Sequence, residues 1–219
     1  MSLSPAAARI AKTFCDSIQK RRSFEEPYQY FILDNLMPAD VAAQLRDVAL
    51  PAPSLDGVSG KRELHNDTRS YFDTANMAKF PVMRDFADAC QSQEVVQAIA
   101  KGLGAPIDDT FVRLEYAMDV DGFWLEPHTD LGVKKFTCLI YLSDDHEDLG
   151  TDIYRGVGDH FGRPPFVPNT AMIFVPSENT WHGFEHRPIK GVRKSVILNY
   201  VTHEWRAREQ LSFTETVRL

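Results

Sequence analysis

What this chain has little of narrows it first. It carries 3 cysteines in 219 residues, Cys15, Cys90 and Cys138, odd in number and far apart. No disulfide framework and no zinc spacing follow from that, and a reducing cytoplasm is the expected location. No apolar run approaches eighteen residues, so no membrane span is expected. The segment from Met1 to Ala11 lacks the charged-then-apolar order of a secretory leader. Basic residues are outnumbered, 24 against 31 acidic, for a net charge of −7. An acidic surface repels nucleic acid and anionic lipid, so neither is an expected partner. There is also no internal repeat, low-complexity tract or interdomain linker. The 43% of hydrophobic residues excludes a disordered chain, and the length suits one domain with a full core.

The patterning changes along the chain. Ile10, Phe14 and Ile18 predict a helix over 5–20, with Lys20-Arg21-Arg22 as its solvated end. Tyr28 to Leu33 is aromatic and branched, hence a strand. Pro38 then opens a helix carrying Val41, Leu45 and Val48. Residues 51–76 are polar and irregular, with a short strand suggested by the alternation of Arg69, Tyr71 and Asp73. One helical region is expected from Met77 to Lys101, with Pro81 in its first turn and Gly102 as its stop. From Thr110 the period becomes two. Strands are expected at 111–118, 123–129, 135–142, 152–154, 171–175 and 195–202, separated by turns rich in Gly, Pro, Asn and Asp. This order predicts an α+β chain: a helical part over 1–105, packed on one sheet of a jelly-roll core over 110–203.

The chemistry concentrates in the strand half. His-X-Asp occurs three times, at His65-Asn66-Asp67, His128-Thr129-Asp130 and His146-Glu147-Asp148. The first lies in a polar run and suits a surface role. The third sits in an acidic turn. Only His128 has strand-like sequence on both sides. On an extended strand His128 and Asp130 leave the same face, so an imidazole and a carboxylate enter one cavity. A third ligand could be His160, His182 or His186. His182 follows a clean strand and a turn at Ser177-Glu178-Asn179. Gly183, Pro188 and Gly191 argue against a helical His182/His186 pair. Two His and one carboxylate form the ligand set of non-haem Fe(II) oxygenases. Downstream, Arg193 offers a planar fork suited to a carboxylate, and Ser195 shares its strand face.

The order His128-Thr129-Asp130, then Trp181-His182-Gly183, then Arg193-Lys194-Ser195 resembles the Fe(II)/2-oxoglutarate-dependent dioxygenases, in the prolyl-hydroxylase-like branch. The resemblance covers roughly residues 110–202. It implies a double-stranded β-helix, Fe(II) held by His128, Asp130 and His182, and 2-oxoglutarate and O2 as cosubstrates. It also implies that Arg193, with Ser195, anchors the distal carboxylate of 2-oxoglutarate, with Lys190 as the runner-up, and that Tyr116 reaches the cosubstrate. Thr137 or Tyr141 could touch it as well. The implied reaction is hydroxylation with release of succinate and CO2. Asp130 departs from the halogenating branch, which has a non-acidic residue there. Asn199 departs from the nucleic-acid-repair branch, which carries a second Arg at that position. A small molecule is the expected substrate; the alternatives are a peptidyl, prolyl-type substrate or a cupin-type metalloenzyme that needs no 2-oxoglutarate. Arg69, in the long loop, is expected to help select substrate and to leave cosubstrate binding alone.

Overall fold

The computed structural model describes residues 2–51, Gly60, 69–143 and 147–219. The first and third His-X-Asp triplets lie outside the described residues in whole or in part.

Helix α1 (Pro5–Gln19) begins where Ser4 accepts the Ala7 N–H, and Pro5 occupies a first-turn position that needs no donor. Its buried stripe is Ile10, Phe14 and Ile18. The basic residues after it do not simply end a helix. Arg22–Phe24 form β1, whose three side chains are all exposed, so no alternation marks it in the sequence. It pairs with β2 (Tyr30–Leu33). Helix α2 (Ala39–Arg46) follows, with Pro38 at its N-cap. After β3 (Arg69–Tyr71), the expected single helix is three: α3 (Thr74–Lys79), α4 (Pro81–Gln91) and α5 (Gln93–Leu103). Pro81 forces Phe80 into an extended conformation, which ends α3. Ser92 is also extended, and its hydroxyl caps α5 by accepting from Val95. The left-handed stop is Gly104, at φ 69°, and not Gly102. Gly102 lies inside the helix where α1 crosses close, and a Cβ there would sit 2.9 Å from Ile18 Cγ2.

The remaining strands are β4 (Phe111–Asp119), β5 (Leu125–His128), β6 (Lys134–Tyr141), β7 (Asp152–Gly156), β8 (Asp159–Gly162), β9 (Ala171–Phe174), β10 (His182–Phe184) and β11 (Arg193–Val201). They form two antiparallel sheets: seven strands in the order β1-β2-β9-β6-β11-β4-β3, and four in the order β5-β10-β7-β8. The large sheet has two different faces. Outward, Leu114, Tyr116, Phe136, Cys138, Val196 and Leu198 join the helices in one core. Inward, Leu139, Tyr141, Met172, Phe174 and Ile197 meet Ile153 and Phe184 of the small sheet in a second core. Burial of apolar area on both faces holds the three layers together.

Candidate metal centre and anchor

Strand β10 lies beside β5 with His182 directly opposite His128, and the two imidazole centroids are 4.4 Å apart. Asp130 follows β5 by two residues. One ligand atom from each of His128, Asp130 and His182 lies within 4.8 Å of the others. The ring orientations suit a metal. His128 Nδ1 is 2.8 Å from the Glu126 carbonyl and His182 Nδ1 is 2.9 Å from the Thr180 carbonyl. A carbonyl only accepts, so each Nδ1 carries a proton and Nε2 is the nitrogen each ring would present to a metal. Burial first, and then the neighbouring His128, push the His182 pKa down to about 3, which keeps that ring neutral. Burial by itself would raise the Asp130 carboxyl. The charge of Lys134 and hydrogen bonds from Lys134 and Thr137 outweigh it, and Asp130 ends below the ordinary carboxylate range. Thr137 Oγ1 donates to Asp130 Oδ2 at 2.6 Å, and Lys134 Nζ forms a short ion pair with Oδ1. Two imidazoles and one ionised carboxylate therefore converge with their supporting contacts in place.

The candidate anchor stands on β11. Arg193 is buried, with Nε donating to the Leu149 carbonyl at 2.8 Å and Nη1 to Asp119 Oδ2 at 2.7 Å. Its guanidinium rests against the Phe184 and Phe166 rings at 4.7 and 4.9 Å. Those contacts leave Nη2 for a ligand. A narrow cavity of about 40 Å³ joins His182 to Arg193 along Leu139, Tyr141, Ser195 and Ile197. That volume suits a few waters.

Tyr116 is not part of this cavity. It points to the outer face, where its hydroxyl donates to the Leu45 and Arg46 carbonyls under α2. Its register partner is Val196, and neighbours along a strand alternate faces, so Glu115 and Ala117 are the inward residues. The phenol that does line the cavity is Tyr141, bonded through its oxygen to the Thr151 N–H and hydroxyl at 3.2 Å. Lys190 is exposed, and so is His186, which stands outside the triad. His160, the other candidate third ligand, is on β8. It lies 3.0 Å from Asp152 in a second cluster with Glu185, where Arg163 and Arg187 each approach the Asp152 carboxylate to 2.7 Å. Two guanidiniums on one carboxylate make that cluster an ion-pair network.

Arg69 also differs from expectation. Its side chain is 5% exposed, and Nη1 donates to Asp119 Oδ1 at 2.7 Å. It belongs to the anchor end of the cavity. Asp119, Lys134 and Thr151 carry no functional reading in the sequence alone. Asp119 is the β4 residue paired with Arg193, a partnership set by register and not by any local pattern.

No protein-family model matches the sequence, and no curated protein does. Solved structures share the fold at low identity. A prolyl-4-hydroxylase from Pseudomonas putida aligns with a TM-score of 0.59 at 15% identity, over 89% of this chain and 99% of its own. HygX from Streptomyces hygroscopicus, solved with nickel and 2-oxoglutarate bound, aligns at 0.51 and 14% identity, over 94% and 90%. SnoN, a non-haem α-ketoglutarate-dependent epimerase from nogalamycin biosynthesis, aligns at 0.51 and 13% identity, over 99% and 96%.

Proposed function

We propose that residues 1–219 form one Fe(II)- and 2-oxoglutarate-dependent oxygenase domain, with the two sheets as its double-stranded β-helix. The observation that carries this is the convergence of His128 and Asp130 on His182, which lines a cavity that Arg193 also lines. His128 and His182 offer Nε2 and Asp130 offers an oxygen, a donor set suited to Fe(II). Arg193 Nη2 and the Ser195 hydroxyl receive the distal carboxylate of 2-oxoglutarate, and the Phe184 and Phe166 rings keep that guanidinium dry, which strengthens its grip. When bound, Fe(II) and 2-oxoglutarate together with O2 supply a hydrogen-abstracting oxidant, with succinate and CO2 as coproducts. Thr137 and Lys134 hold Asp130 for this task, and the Glu126 and Thr180 carbonyls fix the two imidazoles.

Hydroxylation is the reaction we favour, on a small molecule; the likeness to SnoN, an epimerase of nogalamycin biosynthesis, supports the substrate and not the reaction, and the prolyl-4-hydroxylase likeness supports a peptidyl substrate as the alternative. The test is anaerobic. Addition of Fe(II) and 2-oxoglutarate to the purified protein is expected to raise a visible metal-to-ligand absorption band. Binding of Fe(II) with no band and no 2-oxoglutarate uptake would make the chain a cupin-type metalloprotein instead. Succinate release across a substrate panel then separates small molecules from proline-containing peptides.

A further inference from the structure

The inward face of β3, β4 and β11 carries a row of buried charges of which the oxygenase reading uses only Arg193. Arg193 meets Asp119, Asp119 meets Arg69, Arg69 Nε lies 3.6 Å from Glu115, and Arg113 closes on Glu115 at 2.6 Å. Asp119 and Glu115 are fully buried, and the Arg69 and Arg113 side chains are each 5% exposed. At the cavity itself the row presents two guanidiniums, Arg193 and Arg69, around one carboxylate, Asp119, and all three line the same space. Together they leave a single positive charge.

Without Arg69 that charge would vanish. Asp119 takes Nη1 of Arg193, and a lone Arg193–Asp119 pair would meet an incoming carboxylate with attraction and repulsion nearly balanced. Asp119 still has a purpose. Together with the Leu149 carbonyl it fixes two edges of the guanidinium, which aims Nη2 into the cavity. We infer that Asp119 aims the anchor and that Arg69 neutralises Asp119, so that Arg193 keeps a full charge for the distal carboxylate of 2-oxoglutarate. Arg69 and Asp119 are thus positioning residues for the cosubstrate. With a diacid in place, the four groups alternate in sign: ligand carboxylate, Arg193, Asp119, Arg69. This inference rests on the oxygenase reading, since it concerns how that cosubstrate is held. It also reverses the sequence-based expectation that Arg69 acts on substrate alone.

The test compares two ligands that differ only in the distal carboxylate, 2-oxoglutarate and 2-oxopentanoate. Each is titrated calorimetrically into the Mn(II)-loaded protein, with folding checked by thermal melting. Arg69→Gln is expected to weaken 2-oxoglutarate by about tenfold or more and to leave 2-oxopentanoate unmoved, because a buried unit charge near a carboxylate is worth at least that factor. Arg69→Lys keeps the charge and is expected to stay close to the wild type. The double variant Arg69→Gln/Asp119→Asn restores the single positive charge and is expected to recover most of the affinity, since the new amide oxygen can still accept from Arg193. Wild-type affinity for 2-oxoglutarate in Arg69→Gln would overturn the inference, and so would equal loss of both ligands or no recovery in a folded double variant. A wild-type protein that binds Mn(II) but no 2-oxoglutarate would instead remove the oxygenase reading itself.

Discussion

His182 and His186 lie one helical turn apart in sequence and in unrelated surroundings in space. His182 is buried on β10 against His128, while His186 is exposed beyond the end of the strand. His182→Ala should therefore weaken Mn(II) or Fe(II) binding by on the order of a hundredfold or more, since even the outer contacts of a metal site are worth tenfold to a hundredfold. His186→Ala should leave it unchanged, with equilibrium dialysis as the readout. Equal effects from the two variants would mean that the triad is misassigned. The meeting of His128, Asp130 and His182, and the place of Arg193 beside His182 in one cavity, are legible in the sequence because strand spacing and chain order constrain them. The face of Tyr116 is not legible. Period two divides β4 into two sets, but only pairing with β11 and the docking of α2 decide which set looks inward. Asp119 and Arg69 are hidden for a related reason. Their meaning comes from an ion pair spanning 50 residues of sequence.

At the level of elements, β10 is three residues long, and its geometry depends on the absence of a side chain. A Cβ on Gly183 would lie 2.8 Å from the Leu125 carbonyl oxygen and 3.1 Å from that of Glu126. Both are backbone atoms of β5, so β10 would have to move away, taking His182 from His128. Gly183→Ala should cost about 1–3 kcal/mol in urea unfolding, the usual penalty for overpacking, and should also lower metal affinity. A variant that loses stability with metal affinity intact would argue against this coupling. The network around Asp152 ties β7 to the segments after β8 and β10. Burial would raise that carboxyl, but the Glu185 N–H, Arg187 and His160 hold it below its ordinary value. A depressed folded pKa stabilises the fold above the ordinary carboxylate pKa, about 3.9, and the benefit is lost as pH falls through the folded value. Asp152→Asn should thus destabilise by about 3 kcal/mol near pH 7, as expected for breaking a buried ion pair. Its deficit against the wild type should shrink in acid as the native carboxyl protonates; urea melts at pH 7 and pH 3 check this. Short strands such as β8 and β10 escape a reading of the sequence because three or four residues carry too few alternations to register. In the 77–101 region one apolar stripe runs through the breaks at Phe80, set by Pro81, and at Ser92, the cap of α5.

Across the whole molecule, one seven-stranded sheet serves two purposes on two faces. Its outer face is closed by the helices, and Phe86 of α4 is fully buried there, 6.2 Å from the Phe72 ring. Its inner face carries Arg193 and Ser195, and the small sheet brings His128 and His182 across to them. The ligand groups come from β5, the segment after it, β10 and β11, so an unfolded chain cannot gather them. Mn(II) with 2-oxoglutarate should then stabilise the native state alone, by about 2.7 kcal/mol at a hundredfold excess over Kd. For a domain of this size that corresponds to a rise in Tm of about 5–10 °C. Chelation by EDTA should reverse it. Phe86→Ala opens a cavity on the helical face and should lower stability by about 3–5 kcal/mol. If the two faces act independently, that variant melts earlier but gains the same increment from the ligands. A smaller increment would show that the helical layer shapes the site through the sheet, and the division of labour between the faces would have to be abandoned.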